Sequence, residues 1–285
     1  LLLVLVLMVG HTAMGATRWL NLGVLRLQPA ELIKLSLILA LARYYNEVHN
    51  YRVSQPLVLV PALLLVGIPF LLIAAQPDLG TGIIVLAIGV GMIFAIGVSR
   101  WLFIVSAVLI LGSAPVLWHM LHDYQKQRIL TFLYPERDPL GAGYNIIQSK
   151  IAIGAGGWRG QGLVNGSQSQ LAYLPEHHTD FAFTMLAEEL GFAGGAAVIG
   201  LFMVVICYSW LIAVNSKTIF TKLSALGASI FIAVHVAINL GMVMGLLPVV
   251  GVPLPFISYG GTMMVTVMLA LAIIINAGAR INQRA

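Results

Sequence analysis

Residues 173–183 read YLPEHHTDFAF, so Glu176, His177, His178, Thr179 and Asp180 follow one another. Side chains of these types bind metal ions, move protons or cap helices. The spacing matches no zinc signature. Directly after Asp180 the sequence turns apolar for about thirty residues, and a carboxylate at such a helix entrance is favoured by free amides and by the helix dipole. A carboxylate partly desolvated beside basic groups can also take a proton from a sugar hydroxyl. The residues alone leave cap and general base open.

Three further groups carry chemistry. In QPAELIKL, Glu31 and Lys34 stand at i, i+3 on one face of a helix that begins after Pro29. Facing lipid, either charge costs ~3 kcal/mol on insertion scales, so the two are expected to pair inside a bundle. They form a structural salt bridge or the polar wall of a substrate cavity. Asp78, in QPDLGTG, caps a helix, joins Glu31 and Lys34 in a cluster, or does both. Arg18 and Trp19, in GATRWLNLG, suit an interfacial anchor. The long stretch 120–180 holds Lys126, Arg128, Arg137, Lys150 and Arg159. Its Gly-rich turns allow backbone amides to approach an anion or serve a folded loop, and 144–154 has the spacing of an interfacial amphipathic helix. Glu188 and Glu189 follow Asp180 within the next apolar run, and one of them is expected to pair with a base.

The elements that must position these groups are hydrophobic. The chain is 60% hydrophobic and 9% charged with mean hydropathy +0.97, which excludes an ordinary soluble domain. Apolar segments near 1–10, 30–46, 57–75, 79–98, 101–119, 181–213, 221–246 and 262–279 do not alternate as barrel strands must, so they read as transmembrane helices of an all-α polytopic bundle. The LLLVLV opening has no basic leader and is expected to begin inside a helix, with earlier residues preceding it. One cysteine, Cys207, excludes an internal disulfide and a four-cysteine metal site. The +5 charge carries no basic run with interleaved aromatics, so no nucleic acid is expected. Loops at 43–56, 99–100, 214–222 and 280–285 carry most of the Lys and Arg and are read as cytoplasmic, which puts the C-terminus inside and 120–180 outside. Small residues Gly194, Gly195, Ala196 and Ala197 suit close packing, with a partner or within the chain.

PEHHTDFAF, QPAELIKL, AAQPDLGTG, DPLGAGYNIIQSKIAIG and GLLPVVGVPLPFISYGG stand in the order and spacing of the SEDS family of bacterial cell-wall polymerases, the RodA/FtsW group, which the whole chain resembles. Asn239 to Gly261 follows the family's C-terminal signature. Met263 departs from it, where a small residue is usual, and His177 stands at a variable position. HDYQKQR and GSQSQLAYLPE resemble the RodA, or elongation, branch.

The resemblance implies one SEDS membrane domain over 1–285, with about eight of ten helices present and a long extracytoplasmic loop at 120–180. It implies a peptidoglycan glycosyltransferase of the bacterial inner membrane that polymerises lipid II into β-1,4 strands during cell elongation, inverting at MurNAc C1. Asp180 is then the catalytic carboxylate. Substrate-binding or cavity roles are implied for Glu31, Lys34, Asp78, Arg18, Trp19, Arg128, Lys150, Glu176, His178, Thr179 and Ser258. A divalent cation, Mg or Mn, is expected, with no ligands identified. The expected partners are membrane lipid and a class B penicillin-binding protein that supplies the transpeptidase. The rival readings are a lipid II flippase, which fits intramembrane charge equally well but does not need a carboxylate at 180, and a scaffold, in which the polar groups would be dispensable.

Overall fold

The computed structural model describes residues 2–9, 11–13, 16–21, 26–49, 52–138, 141–163, 165–166 and 178–282. All eight apolar stretches are helical: α1 (Leu2–Val9), α2 (Pro29–Asn46), α3 (Pro56–Ala74), α4 (Leu79–Ala95), the pair α5 (Arg100–Gly112) and α6 (Ala114–Met120), α9 (Ala182–Asn215), α10 (Ile219–Val243) and α11 (Gly261–Asn282). Between α6 and α9 lie α7 (Asp123–Leu133) and α8 (Ala142–Ala155). Among the described residues α3, α9, α10 and α11 are long and apolar enough to cross a bilayer. Leu57, Leu64, Ile68 and Leu71 of α3 lie exposed, as side chains facing hydrocarbon do.

Three expectations change. The span expected over 101–119 is a helix pair bent by 60°. Pro115, in the first turn of α6, has no N–H to continue the ladder of α5. Segment 11–29, with no strand expected, carries a small antiparallel sheet of β1 (His11–Ala13), β2 (Ala16–Asn21) and β3 (Arg26–Leu27). The apolar run from 182 is broken at Gly191, whose φ of 66° and ψ of −165° leave the helical region.

The chain divides into two compact units, residues 1–99, 203–234 and 260–285, and residues 100–202 and 235–259. In the first, α2, α3 and α4 pack around Ile38, Leu41, Ile84, Ile88 and Met92, all buried. Glycine permits the close approach: a Cβ at Gly227 of α10 would stand 2.7 Å from Ile38 Cγ2 and 2.8 Å from Met92 Sδ. A groove of about 530 Å³ in this unit is lined by Leu35, Leu39, Phe220, Ser224, Ile273 and Arg280, among others, but not by Glu31 or Lys34.

The second unit replaces much of the expected long loop with helix. Asp138 bonds to the start of α8: its Oδ2 accepts the Gly143 amide at 3.4 Å and its carbonyl accepts the Tyr144 amide at 3.1 Å. A Cβ on Gly141 would stand 2.6 Å from the Asp138 carboxylate, and one on Gly143 would collide with the Pro135 carbonyl. Helix α8 buries Gly143, Ile146, Ser149 and Ala152, one residue in three, so one face of it packs into protein.

The GAGGWRGQG turn after α8 docks on the break in α9. Gln161 and Gly162 donate to the carbonyls of Glu188 and Glu189, while Phe192 and Ala193 donate to those of Gly157 and Trp158. One loop thus satisfies the orphan carbonyls of the first half of α9 and the orphan amides of the second. A Cβ at Gly160 would strike the Glu189 carbonyl, and one at Gly191 would strike the Gly160 amide. These glycines serve chain-to-chain contact, the folded-loop alternative. Gly195 faces Phe183 at 3.3 Å from its would-be Cβ, so this member of the 194–197 run packs on the upstream half of its own helix.

Candidate functional site

Asp180 lies in the turn that enters α9, one residue before Phe181, which is buried and flanks the first helical residue, Ala182. His178 is exposed, and Thr179 and Asp180 are half-buried. Each takes part in polar or electrostatic contact. The apolar helix fixes the turn, and the polar tripeptide is left at its mouth.

Residues 247–259, LPVVGVPLPFISY, supply the wall. Their prolines prevent a regular ladder, and side chains hold the shape. Ser258 Oγ accepts the Leu254 amide at 2.8 Å, and the Ser258 amide donates to the Leu254 carbonyl at 3.0 Å. Next to them the Tyr259 amide donates to the His178 carbonyl at 2.9 Å. Asn239, on α10 and fully buried, donates from Nδ2 to the Asp180 carbonyl at 2.8 Å and to the Val252 carbonyl at 2.7 Å. Gly251, at φ +72°, faces the carboxylate: a Cβ there would stand 3.3 Å from Asp180 Oδ2. Phe256 holds a left-handed φ of 64° beside these contacts and stacks on Phe202 at 6.3 Å between ring centroids.

Lys150 reaches the same segment from α8. Its neighbour Ser149 is fully buried, 2.7 Å from Thr184 Oγ1 and donating to the Val243 carbonyl at 2.7 Å. Lys150 itself is exposed and runs past Gly245, at φ +69°, whose would-be Cβ stands 2.7 Å from Nζ. Residues 245–259 therefore touch Lys150, His178 and Asp180 in turn, and Ser258 lies among them. Arg128 is half-buried on α7. Glu188 is fully buried and Glu189 half-buried. Glu176 lies outside the described residues.

In the first unit, Lys34 Nζ stands 2.7 Å from Glu31 Oε2 with both side chains buried, and 5.4 Å from the Phe231 ring centroid. Asp78 caps α4: Thr81 donates from its amide at 3.3 Å and from Oγ1 at 3.0 Å. Gln28, the residue before α2, also donates to Asp78, at 3.3 Å, which ties the cap of α4 to the end of α2 that carries Glu31. Trp19 is half-buried on β2; Arg18 occupies the same strand, and its side chain lies outside what is described.

Among the described residues no three His, Cys, Asp or Glu side chains converge as metal ligands. Those residues do not fit a cation held by protein alone. Asn239 and Ser149 are the site residues that chemistry-bearing motifs passed over. For Asn239 the signal was present, since a polar side chain inside an apolar run is functional or paired by default; Ser149, between Gln148 and Lys150, carried no such signal.

The family model of the FtsW/RodA/SpoVE cell cycle proteins matches residues 1–283. The chain belongs to this family. The peptidoglycan glycosyltransferase MrdB of Escherichia coli strain K12 is 47% identical over 279 residues, 97% of this chain and 74% of that protein. Stage V sporulation protein E of Bacillus subtilis is 40% identical, over 97% of this chain and 75% of its own length. Among solved structures, a chain of a peptidoglycan synthase complex that coordinates polymerization and crosslinking superposes with TM-score 0.84 at 31% identity, covering 99% of this chain and 79% of that one. The rod shape determining protein RodA of Thermus thermophilus superposes with TM-score 0.65 at 27% identity, over 96% and 73%. Family membership and the apolar helices together make this member a multi-pass membrane protein.

Proposed function

We propose that this chain is a peptidoglycan glycosyltransferase of the RodA kind, polymerising lipid II into β-1,4-linked glycan strands during cell elongation. The observation that carries the assignment to a site is the Asp180 carboxylate, half-buried at a helix entrance and kept approachable by a glycine at 251. Asp180 is the general base on the 4-hydroxyl of the acceptor GlcNAc. The freed oxygen attacks C1 of the donor MurNAc, the C1–O bond to the α-linked pyrophosphate breaks, and a β link forms with inversion. The pyrophosphate leaves with its electron pair and needs charge neutralisation more than a proton. Lys150 supplies a cation on the same segment, and Arg128 is a second candidate. His178, Thr179 and Ser258 shape the acceptor side, joined by Glu176, and Arg18 and Trp19 are assigned to substrate from the family motif.

Burial and bonding support structural roles for Glu31 and Lys34, paired within α2, and for Asp78, which caps α4 and is tied to the start of α2 through Gln28. A divalent cation, if it came with the substrate's pyrophosphate, would supply charge neutralisation of the leaving group; removal by chelator is expected to slow polymerisation. Charge asymmetry of the loops supports a cytoplasmic C-terminus and an outer site. The partner is a class B penicillin-binding protein, a reading supported by the likeness to the synthase complex.

The test is glycan-chain formation from labelled lipid II by the full-length chain with its partner. Muramidase-sensitive polymer is expected. Absence of polymer under metal-replete conditions, together with translocation of lipid II across vesicles, would replace the polymerase with a flippase.

A further inference from the structure

We infer that Asn239 is a positioning residue for the Asp180 carboxylate. Its two amide hydrogens bridge the Asp180 carbonyl at 2.8 Å and the Val252 carbonyl at 2.7 Å. Both partners are carbonyl oxygens and can only accept, so chemistry fixes which end of the amide faces them. The remaining atom, Oδ1, is buried without a hydrogen-bond partner among the described residues. A buried orphan acceptor is costly, and its retention calls for an explanation. Only a neutral side chain with two donors on one atom serves both carbonyls from this place on α10. Aspartate would set oxygen against oxygen, and alanine or leucine would strand both carbonyls.

The two bonds converge on one feature. One holds the residue that bears the carboxylate. The other holds the residue after Gly251, whose would-be Cβ lies 3.3 Å from that carboxylate. Asn239 thus sets the distance between the base and its wall, acting through backbone and without touching the reacting atoms. A misplacement near 1 Å at such a site costs on the order of 100-fold in rate. Ser149 of α8, fully buried and donating to the Val243 carbonyl, holds the end of α10 four residues beyond Asn239.

The inference rests on Asp180 being the base, and its test separates the two. Asn239→Ala and Asn239→Asp are made in the full-length chain and assayed with the partner on lipid II, with thermal melting in parallel. Both variants are expected to melt as folded proteins with KM within about threefold of wild type and kcat reduced roughly 10- to 100-fold, Asn239→Asp more than Asn239→Ala. A wild-type kcat per folded molecule, a loss confined to KM, or failure of both variants to fold would overturn the positioning role. Asp180→Asn runs alongside. If it is inactive while the Asn239 variants turn over normally, only the positioning role falls; if it is active, the base assignment falls.

Discussion

At the scale of single residues the candidate site depends on space as much as on charge. Gly251 combines a left-handed φ with a would-be Cβ at 3.3 Å from Asp180 Oδ2. Gly251→Ala is expected to lower kcat for lipid II polymerisation by roughly tenfold or more through displacement of the carboxylate, measured as initial rate at saturating substrate; a wild-type rate would show that the wall does not constrain the base. The Glu31–Lys34 pair has the opposite character, because here charge is enclosed. Removing one partner of a buried pair strands the other and costs about 3–5 kcal/mol, whereas replacing both is often nearly neutral. Glu31→Gln or Lys34→Met alone should lower the melting temperature markedly, and the double variant should recover most of it. No recovery would mean that each group has a separate essential partner. Both carboxylates and the lysine were legible as motifs. Asn239 was legible as the first residue of the family's C-terminal signature, but its role was not, because its bonds are to carbonyls 13 and 59 residues away.

At the scale of elements, turn chemistry decided what hydropathy could not. An apolar run tells that a segment is buried or in lipid, and the same composition fits a straight helix or a broken one. Gly191 lies within the apolar run from 181, yet its backbone leaves the helix where the 157–162 turn bonds to the residues on either side of it. Likewise the bend at Ser113 follows from Pro115, but hydropathy carries no trace of its 60° angle. The docked turn predicts a sharp penalty. Gly160→Ala meets both a φ of +77° and the Glu189 carbonyl. It should destabilise by roughly 2–4 kcal/mol, with faster amide exchange in residues 182–190 ahead of global unfolding. Exchange unchanged in that half-helix would show that the turn does not brace it.

At the scale of the whole molecule, the sequence was most informative about class and least about assembly. Eight apolar stretches, several of them of bilayer length, leave little besides a polytopic helical bundle, and all eight are helical. The small sheet at residues 11–27 was missed because strands of two to six residues carry too few positions for a period to register. Long-range contacts, which gather Lys150, His178 and Asp180 along residues 245–259, are invisible to any local pattern. The central claim is that one carboxylate, Asp180, converts a membrane bundle into a polymerase. The most direct measurement compares wild type with Asp180→Asn in the full-length chain with its partner, at equal folded yield and with lipid II binding measured on the same samples. The account predicts polymer from wild type, none from the variant, and lipid II binding retained by both. Equal polymer from the two would contradict it and leave Asp180 a residue of the helix entrance alone.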